Sequence, residues 1–316
     1  MQFTTQIPIM KSNYPIDYNS RIVSIGSCFA VNMNEKLEYY KFRNIVNPLG
    51  ILFHPYAIAK LVDFAVTARE FTAHDIFFHN ECWHSFDAHS DLNSLSKEDL
   101  LYSLNSRVSL FRDQIMHASH IIITLGTAWV YRNIENGMLV ANCHKVPQKQ
   151  FTKELLPIES IKNSFEQIVT QITTANKNCT IIFTISPVRH IKDGFVENQV
   201  SKSHLISAVY DLVNSNDDKI VYFPSYEIMM DELRDYRFYS EDMLHPNKTA
   251  IDYIWQKFSQ AYISEAGLQT IELVDSIQKG LAHRPFNPDS TQHVKFLTQL
   301  QNKIVSLQGK FPHIHF

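Results

Sequence analysis

Five short apolar runs, rich in β-branched residues, punctuate longer stretches in which apolar positions recur every three or four residues. The runs are Arg21–Ile25, Asn44–Val46, His120–Leu125 (with three consecutive isoleucines), Thr180–Ile185 and Lys219–Phe223. Short and continuously apolar, they predict strands buried on both faces of a parallel sheet. The helical spacing predicts helices over Phe29–Tyr40, Pro55–Thr67, Lys97–His117, Ile158–Ala175, Lys202–Asn214 and Lys248–Tyr262. Strands alternating with helices imply right-handed crossovers and a three-layer α/β/α sandwich around a five-stranded, mostly parallel sheet. Ligands in such folds bind beyond the carboxyl ends of the strands, so the turns that follow the strands are where chemistry is sought.

Two stretches break the alternation. Phe71–Asn93 and Tyr131–Pro157 have weak periodicity and read as insertions that wall a pocket. After Glu265 the pattern is helical again, interrupted by Arg284-Pro-Phe-Asn-Pro288, with an amphipathic helix over Gln292–Gln308 and a tail from Gly309. One domain over residues 1–264 with a helical extension over 265–316 packed on it is the expected organisation.

Composition narrows the function classes. With 45% hydrophobic and 19% charged residues, the chain can bury a sizeable core. A net charge of -3 gives no global field to draw nucleic acid, and no segment approaches the ~20 apolar residues of a membrane span. Met1–Lys11 lacks a secretory pattern, and the four cysteines are far apart, so reduced thiols in a cytoplasm are expected. Neither Gly-x-Gly-x-x-Gly nor a phosphate-binding P-loop occurs, and no cofactor is expected. His79, Glu81, Cys82, His84 and His89 crowd one segment, but their spacing fits no zinc motif, so no metal is expected either.

Two segments carry candidate chemistry. Gly26-Ser27-Cys28 follows the first strand and opens a helix, where unpaired backbone N–H groups and the helix dipole favour an anion. The bland alternative is that Ser27 caps the helix and Cys28 fills the core. Asp242-Met-Leu-His245-Pro246 precedes the last core helix; its spacing can set a carboxylate against His245 Nδ1 and leave Nε2 as a base.

Together these segments resemble the first and last blocks of SGNH (GDSL-like) hydrolases, whose sandwich is flavodoxin-like. The resemblance is closer still to the GSCFA family, named for the pentapeptide at Gly26–Ala30. It extends through Asn47-Pro-Leu-Gly50, Leu125–Tyr131, Val140–Pro147, Ser186–His190, Asp235–Tyr239 and Ala282–Asn287. By the superfamily's spacing Cys28 is the nucleophile; by residue type it is Ser27. The spacing is preferred, with a thiol pKa lowered by the helix terminus and His245. The superfamily's oxyanion Asn has no counterpart in Gly126-Thr127-Ala128, so backbone N–H groups of the nucleophile turn and of Gly50, with Thr127 or Asn142, are the expected substitutes. Asn142, His144, Arg189 and His190 could hold a carboxylate, sugar or phosphate, and Trp129 or Tyr131 could stack on a sugar. The resemblance implies hydrolysis or transfer of an acyl group on a carbohydrate-like or other small polar substrate. The rival is a binding module that kept the fold without the chemistry. Nothing in the sequence speaks to oligomeric state.

Overall fold

The computed structural model describes residues 4–214 and 218–316, so Met1–Phe3 of the N-terminal stretch lie outside the described residues. The chain runs β1 (Arg21–Gly26), α1 (Cys28–Tyr39), β2 (Arg43–Val46), α2 (Pro55–Val66), the hairpin β3 (Phe77–His79) and β4 (Cys82–His84), then α3 (Lys97–His117) and β5 (His120–Leu125). A small sheet follows, of β6 (Trp129–Asn133), β7 (Leu139–Val140) and β8 (Phe151–Leu155). The chain continues through α4 (Ile158–Ala175), β9 (Thr180–Ile185), α5 (Phe195–Val213), β10 (Ile220–Phe223) and the short α6 (Ser225–Glu227). Three helices end it: α7 (Lys248–Tyr262), α8 (Glu265–Ala282) and α9 (Thr291–Lys310).

The five predicted strands form one sheet in the order β10-β9-β5-β1-β2, every pair parallel. Alternate residues of each strand face opposite layers. Ile121, Ile123 and Leu125 of β5 join Phe64, Phe111 and Phe165 in a core under α2, α3, α4 and α5. Ile122 faces the other way, packing with Phe29, Trp255, Phe258 and residues of α8 and α9. The C-terminal helices thus complete the second layer. In α4, Ile161, Phe165, Ile168 and Ile172 are buried, the stripe that a 3.6-residue period places on one side.

The strand order reverses between β1 and β5. At such a switch point the flanking connections leave on opposite faces, opening a crevice at the carboxyl ends. Gly26 ends β1 there with φ +139°. A Cβ on it would lie 2.0 Å from the Thr124 carbonyl oxygen of β5, so only glycine lets the two strand ends approach this closely.

The structure adds three details to that reading. The insertion after β5 is a three-stranded antiparallel sheet, and Phe71–Asn93 holds the hairpin, with Asn80 and Glu81 both at positive φ at its tip, as a tight two-residue turn requires. Pro246 lies before the cap of α7; Asn247 is the cap, accepting the Ala250 N–H at 3.1 Å. Finally, α5 begins at Phe195, seven residues before the predicted start. Its first turns expose Phe195 and Val196 and bury Asn198, Ser201 and Lys202, a polar-inward pattern that hides helical periodicity.

Candidate active site

Ser27 and Cys28 sit at the β1–α1 turn. The Ser27 N–H donates to the Thr124 carbonyl at 3.0 Å, stitching the turn to β5. Its side chain is 1% exposed, caps nothing, and its Oγ has no hydrogen-bond partner among the described residues. Cys28 is half-buried and lines a cavity of about 1140 Å³ together with His245. Burial raises the Cys28 thiol pKa, outweighing the Phe29 N–H and the Lys202 ammonium, which act the other way. The expected lowered pKa is therefore corrected: the desolvation cost of a thiolate here exceeds what the helix terminus returns.

Asp242 and His245 close on each other within one turn. Asp242 Oδ1 accepts the Leu244 and His245 N–H groups at 2.9 and 3.0 Å, with Met243 at φ +59°. Its Oδ2 meets His245 Nδ1 at 2.5 Å. The two N–H groups and the imidazole hold the Asp242 carboxyl down at about 2. An ionised Asp242 accepts a hydrogen bond from Nδ1–H, the contact that orients an imidazole with its Nε2 directed away from the carboxylate. No hydrogen bond joins His245 to Ser27 or Cys28 among the described residues, although Cys28 and His245 line the same cavity.

His245 also borders a second cavity, of about 680 Å³, walled by Phe53, Trp129, Tyr131, Val140 and Phe151 and including Thr127, Asn142, Arg189 and His190. The β6–β8 sheet supplies much of this wall. Burial, with the charges of Lys202, His245 and Lys192 adding to it, lowers His190 to about 3, so its imidazole is neutral. His190 Nε2 is buried with no partner. Trp129 already carries the Lys153 ammonium over its ring, 4.8 Å from the centroid.

Several residues singled out from the sequence are engaged in contacts within the protein. Gly50 donates its N–H to the Asn47 carbonyl at 2.8 Å, and at φ +76° it packs where a Cβ would meet that of His89 at 2.2 Å. Gly126 donates to the Phe53 carbonyl at 2.7 Å. The Thr127 hydroxyl pairs with Ser201 Oγ at 2.8 Å and accepts the Trp129 N–H. Gly50 and Gly126 thus have no N–H to offer an oxyanion. His144 is buried, bonded through Nε2 to the Ser85 carbonyl at 2.6 Å and lowered to about 4 by that burial. It serves the fold. Among the described residues no three His, Cys, Asp or Glu side chains converge as metal ligands would. Nor is any helix long and apolar enough to cross a membrane.

Sequence reasoning missed Asn47 as a side chain and Lys202 altogether. Asn47 Oδ1 accepts the Gly26 N–H at 2.8 Å, while its Nδ2 is buried without a partner. Lys202 is 0% exposed, and its Nζ donates to the Gly126 and Ser186 carbonyls at 2.7 and 2.8 Å. Those carbonyls terminate β5 and β9, so one ammonium ties together two strand ends beneath the site. Burial lowers Lys202 to about 7, against Cys28 and Glu227, which act to raise it. The only local signal was Asn198, Ser201 and Lys202 recurring at helical spacing. Because the folded-state pKa lies below the unfolded value of ~10.4, the unfolded chain binds more protons between pH 7 and pH 10. Stability relative to Lys202→Met should therefore rise with pH across that window and be flat below it. Paired urea titrations from pH 6 to pH 10 measure the difference; a pH-independent difference would show that Lys202 is not neutralised by folding.

The GSCFA family matches residues 21–258, about three quarters of the chain, and the GSCFA domain protein C-terminal domain matches residues 274–316. A carbohydrate esterase family 3 protein from Talaromyces cellulolyticus is a similar solved structure, at 8% identity and a TM-score of 0.36, covering 81% of this chain and 99% of that one. The acetyl xylan esterase Est2A from the rumen bacterium Butyrivibrio proteoclasticus is another, at 13% identity and a TM-score of 0.36, covering 86% of this chain and 66% of that one. No curated protein sequence matches significantly. On a match spanning both the Gly26–Ala30 turn and the Asp242–His245 turn, the chain belongs to the GSCFA family.

Proposed function

We propose that this protein is an SGNH-type ester hydrolase or acyltransferase that works through a thioester on Cys28. The carrying observation is that Cys28 and His245 line one cleft while Asp242 Oδ2 bonds His245 Nδ1 and so orients the imidazole for the role of a base. His245 Nε2 takes the thiol proton as Sγ attacks the ester carbonyl. The tetrahedral intermediate collapses, its C–O bond breaks, and His245 returns the proton to the departing alcohol. A water or second alcohol, deprotonated by the same imidazole, then attacks the thioester and releases Cys28.

A raised thiol pKa makes this base essential, because little thiolate exists near neutrality without it. Asn47 Nδ2 is the proposed amide donor to the oxyanion, in place of the asparagine absent at Ala128. In this reading His190 and Asn142, which line the neighbouring cavity together with His245, hydrogen-bond the substrate's polar groups.

The test is incubation with an aryl acetate, followed by rate measurement and intact-mass analysis. An acetyl adduct on the Cys28 peptide that accumulates and decays is expected. Asp242→Asn should lower kcat/KM by ~10²-fold or more, since it removes the charge that fixes the imidazole. No turnover and no adduct would instead support the binding-module reading, which the missing asparagine at Ala128 favours.

A further inference from the structure

The second cavity is electrostatically unbalanced. Its charged lining consists of Lys153, Arg189, Lys192 and Asp193, and the single carboxylate is tied to Lys153. Arg189 is half-buried, and its only hydrogen-bond acceptor among the described residues is the Met230 thioether, which Nε and Nη2 reach at 3.2 and 2.9 Å. A thioether is a weak acceptor, and a guanidinium carries five donors in a fork that matches planar or tetrahedral oxyanions. The carboxylates on the neighbouring segment are engaged elsewhere: Glu227 holds the Tyr222 hydroxyl and Asp231 pairs with Arg234. Neither forms an ion pair with Arg189. A positive group without an ion-pair partner among the described residues, lining the same largely apolar cavity as the proposed base His245, is arranged for an anion that arrives with the ligand.

We propose that Arg189, with Lys192 at the rim, forms a subsite for an anionic group, a carboxylate or a phosphate, on the substrate. This rests on reading the cleft as a substrate site, and it narrows the substrate to an anionic acyl compound.

Binding is measured first, by calorimetry with succinate and separately with inorganic phosphate, on wild type, Arg189→Gln and Arg189→Lys. One of the two anions should bind wild type and bind Arg189→Gln roughly ten- to hundredfold more weakly, with partial recovery in Arg189→Lys. Which anion binds identifies the group. A second arm compares turnover of a nitrophenyl hemisuccinate with that of the neutral nitrophenyl butyrate. Wild type should prefer the hemisuccinate, and Arg189→Gln should lose that preference. Anion binding through Arg189 with no turnover of either ester would uphold the subsite and overturn the hydrolase reading. Turnover with a preference unchanged in Arg189→Gln and Arg189→Lys would overturn the subsite alone. Absence of binding by both anions to wild type would overturn it as well.

Discussion

Cys28→Ala should abolish ester turnover, lowering kcat/KM by about 10³-fold or more, whereas Ser27→Ala should cost less than about tenfold. The asymmetry follows from position. Ser27 faces into protein, 1% exposed with its hydroxyl unreachable, while the next residue opens onto the cleft that holds His245. A one-residue step at the start of a helix turns a side chain by about 100°, enough to move it from interior to cleft. Steady-state rates on an aryl acetate for both variants decide the matter. Equal losses would remove the thiol as nucleophile, and a larger loss in Ser27→Ala would transfer that role to the hydroxyl. Because the resting thiol is largely protonated, alkylation of wild-type Cys28 by iodoacetamide should keep accelerating beyond pH 9.

Gly26→Ala should be the most damaging substitution for the fold, destabilising it by about 4 kcal/mol or more. The added Cβ would stand 2.0 Å from Thr124 O, 2.7 Å from Thr124 C and 2.8 Å from Thr124 N. All three are backbone atoms of a central strand, so nothing can rotate aside. Either β1 separates from β5, losing the Ser27–Thr124 hydrogen bond, or the turn that presents Cys28 is rebuilt. Since a whole domain is stable by only ~5–15 kcal/mol, much of the protein should be unfolded or insoluble at ambient temperature. Gly137→Ala is the control: its φ is +69°, but no atom lies within 4 Å, so its cost should be backbone strain alone, roughly 1 kcal/mol. Equilibrium denaturation of the two variants separates close approach from strain. Similar midpoints would mean that the strand ends do not meet as described.

The fold and the two anchor turns were legible for one reason: their determinants are local. A buried parallel strand reads as a short apolar run because both faces are covered, and all five runs became the five strands of the sheet. Asp242 and His245 meet because only two residues of turn, Met243 and Leu244, separate them, a distance the chain itself closes. Where the sequence pattern failed, the failure lies close to the candidate site. The early turns of α5 went unread because their inward side is Asn198, Ser201 and Lys202 in place of leucines.

What the sequence by itself determined is the alternation of strands and helices, the crevice at its strand ends, and the residue types that border it. Only the tertiary structure decided which of those residues face the crevice and in what protonation state. Lys202 reaches carbonyls 76 and 16 residues away, so neither its burial nor its lowered pKa is written in its neighbours along the chain. His144 and Gly50 carry motif spacing yet are drawn into structural contacts by Ser85, Asn47 and His89. The Gly26–Cys28 turn shows the same division. Its spacing sets a thiol at a helix start, but whether that thiol is ionised depends on how much water the folded chain excludes from it. Desolvation is a property of everything packed around a group, and so the burial that shapes the cleft also raises the Cys28 thiol pKa.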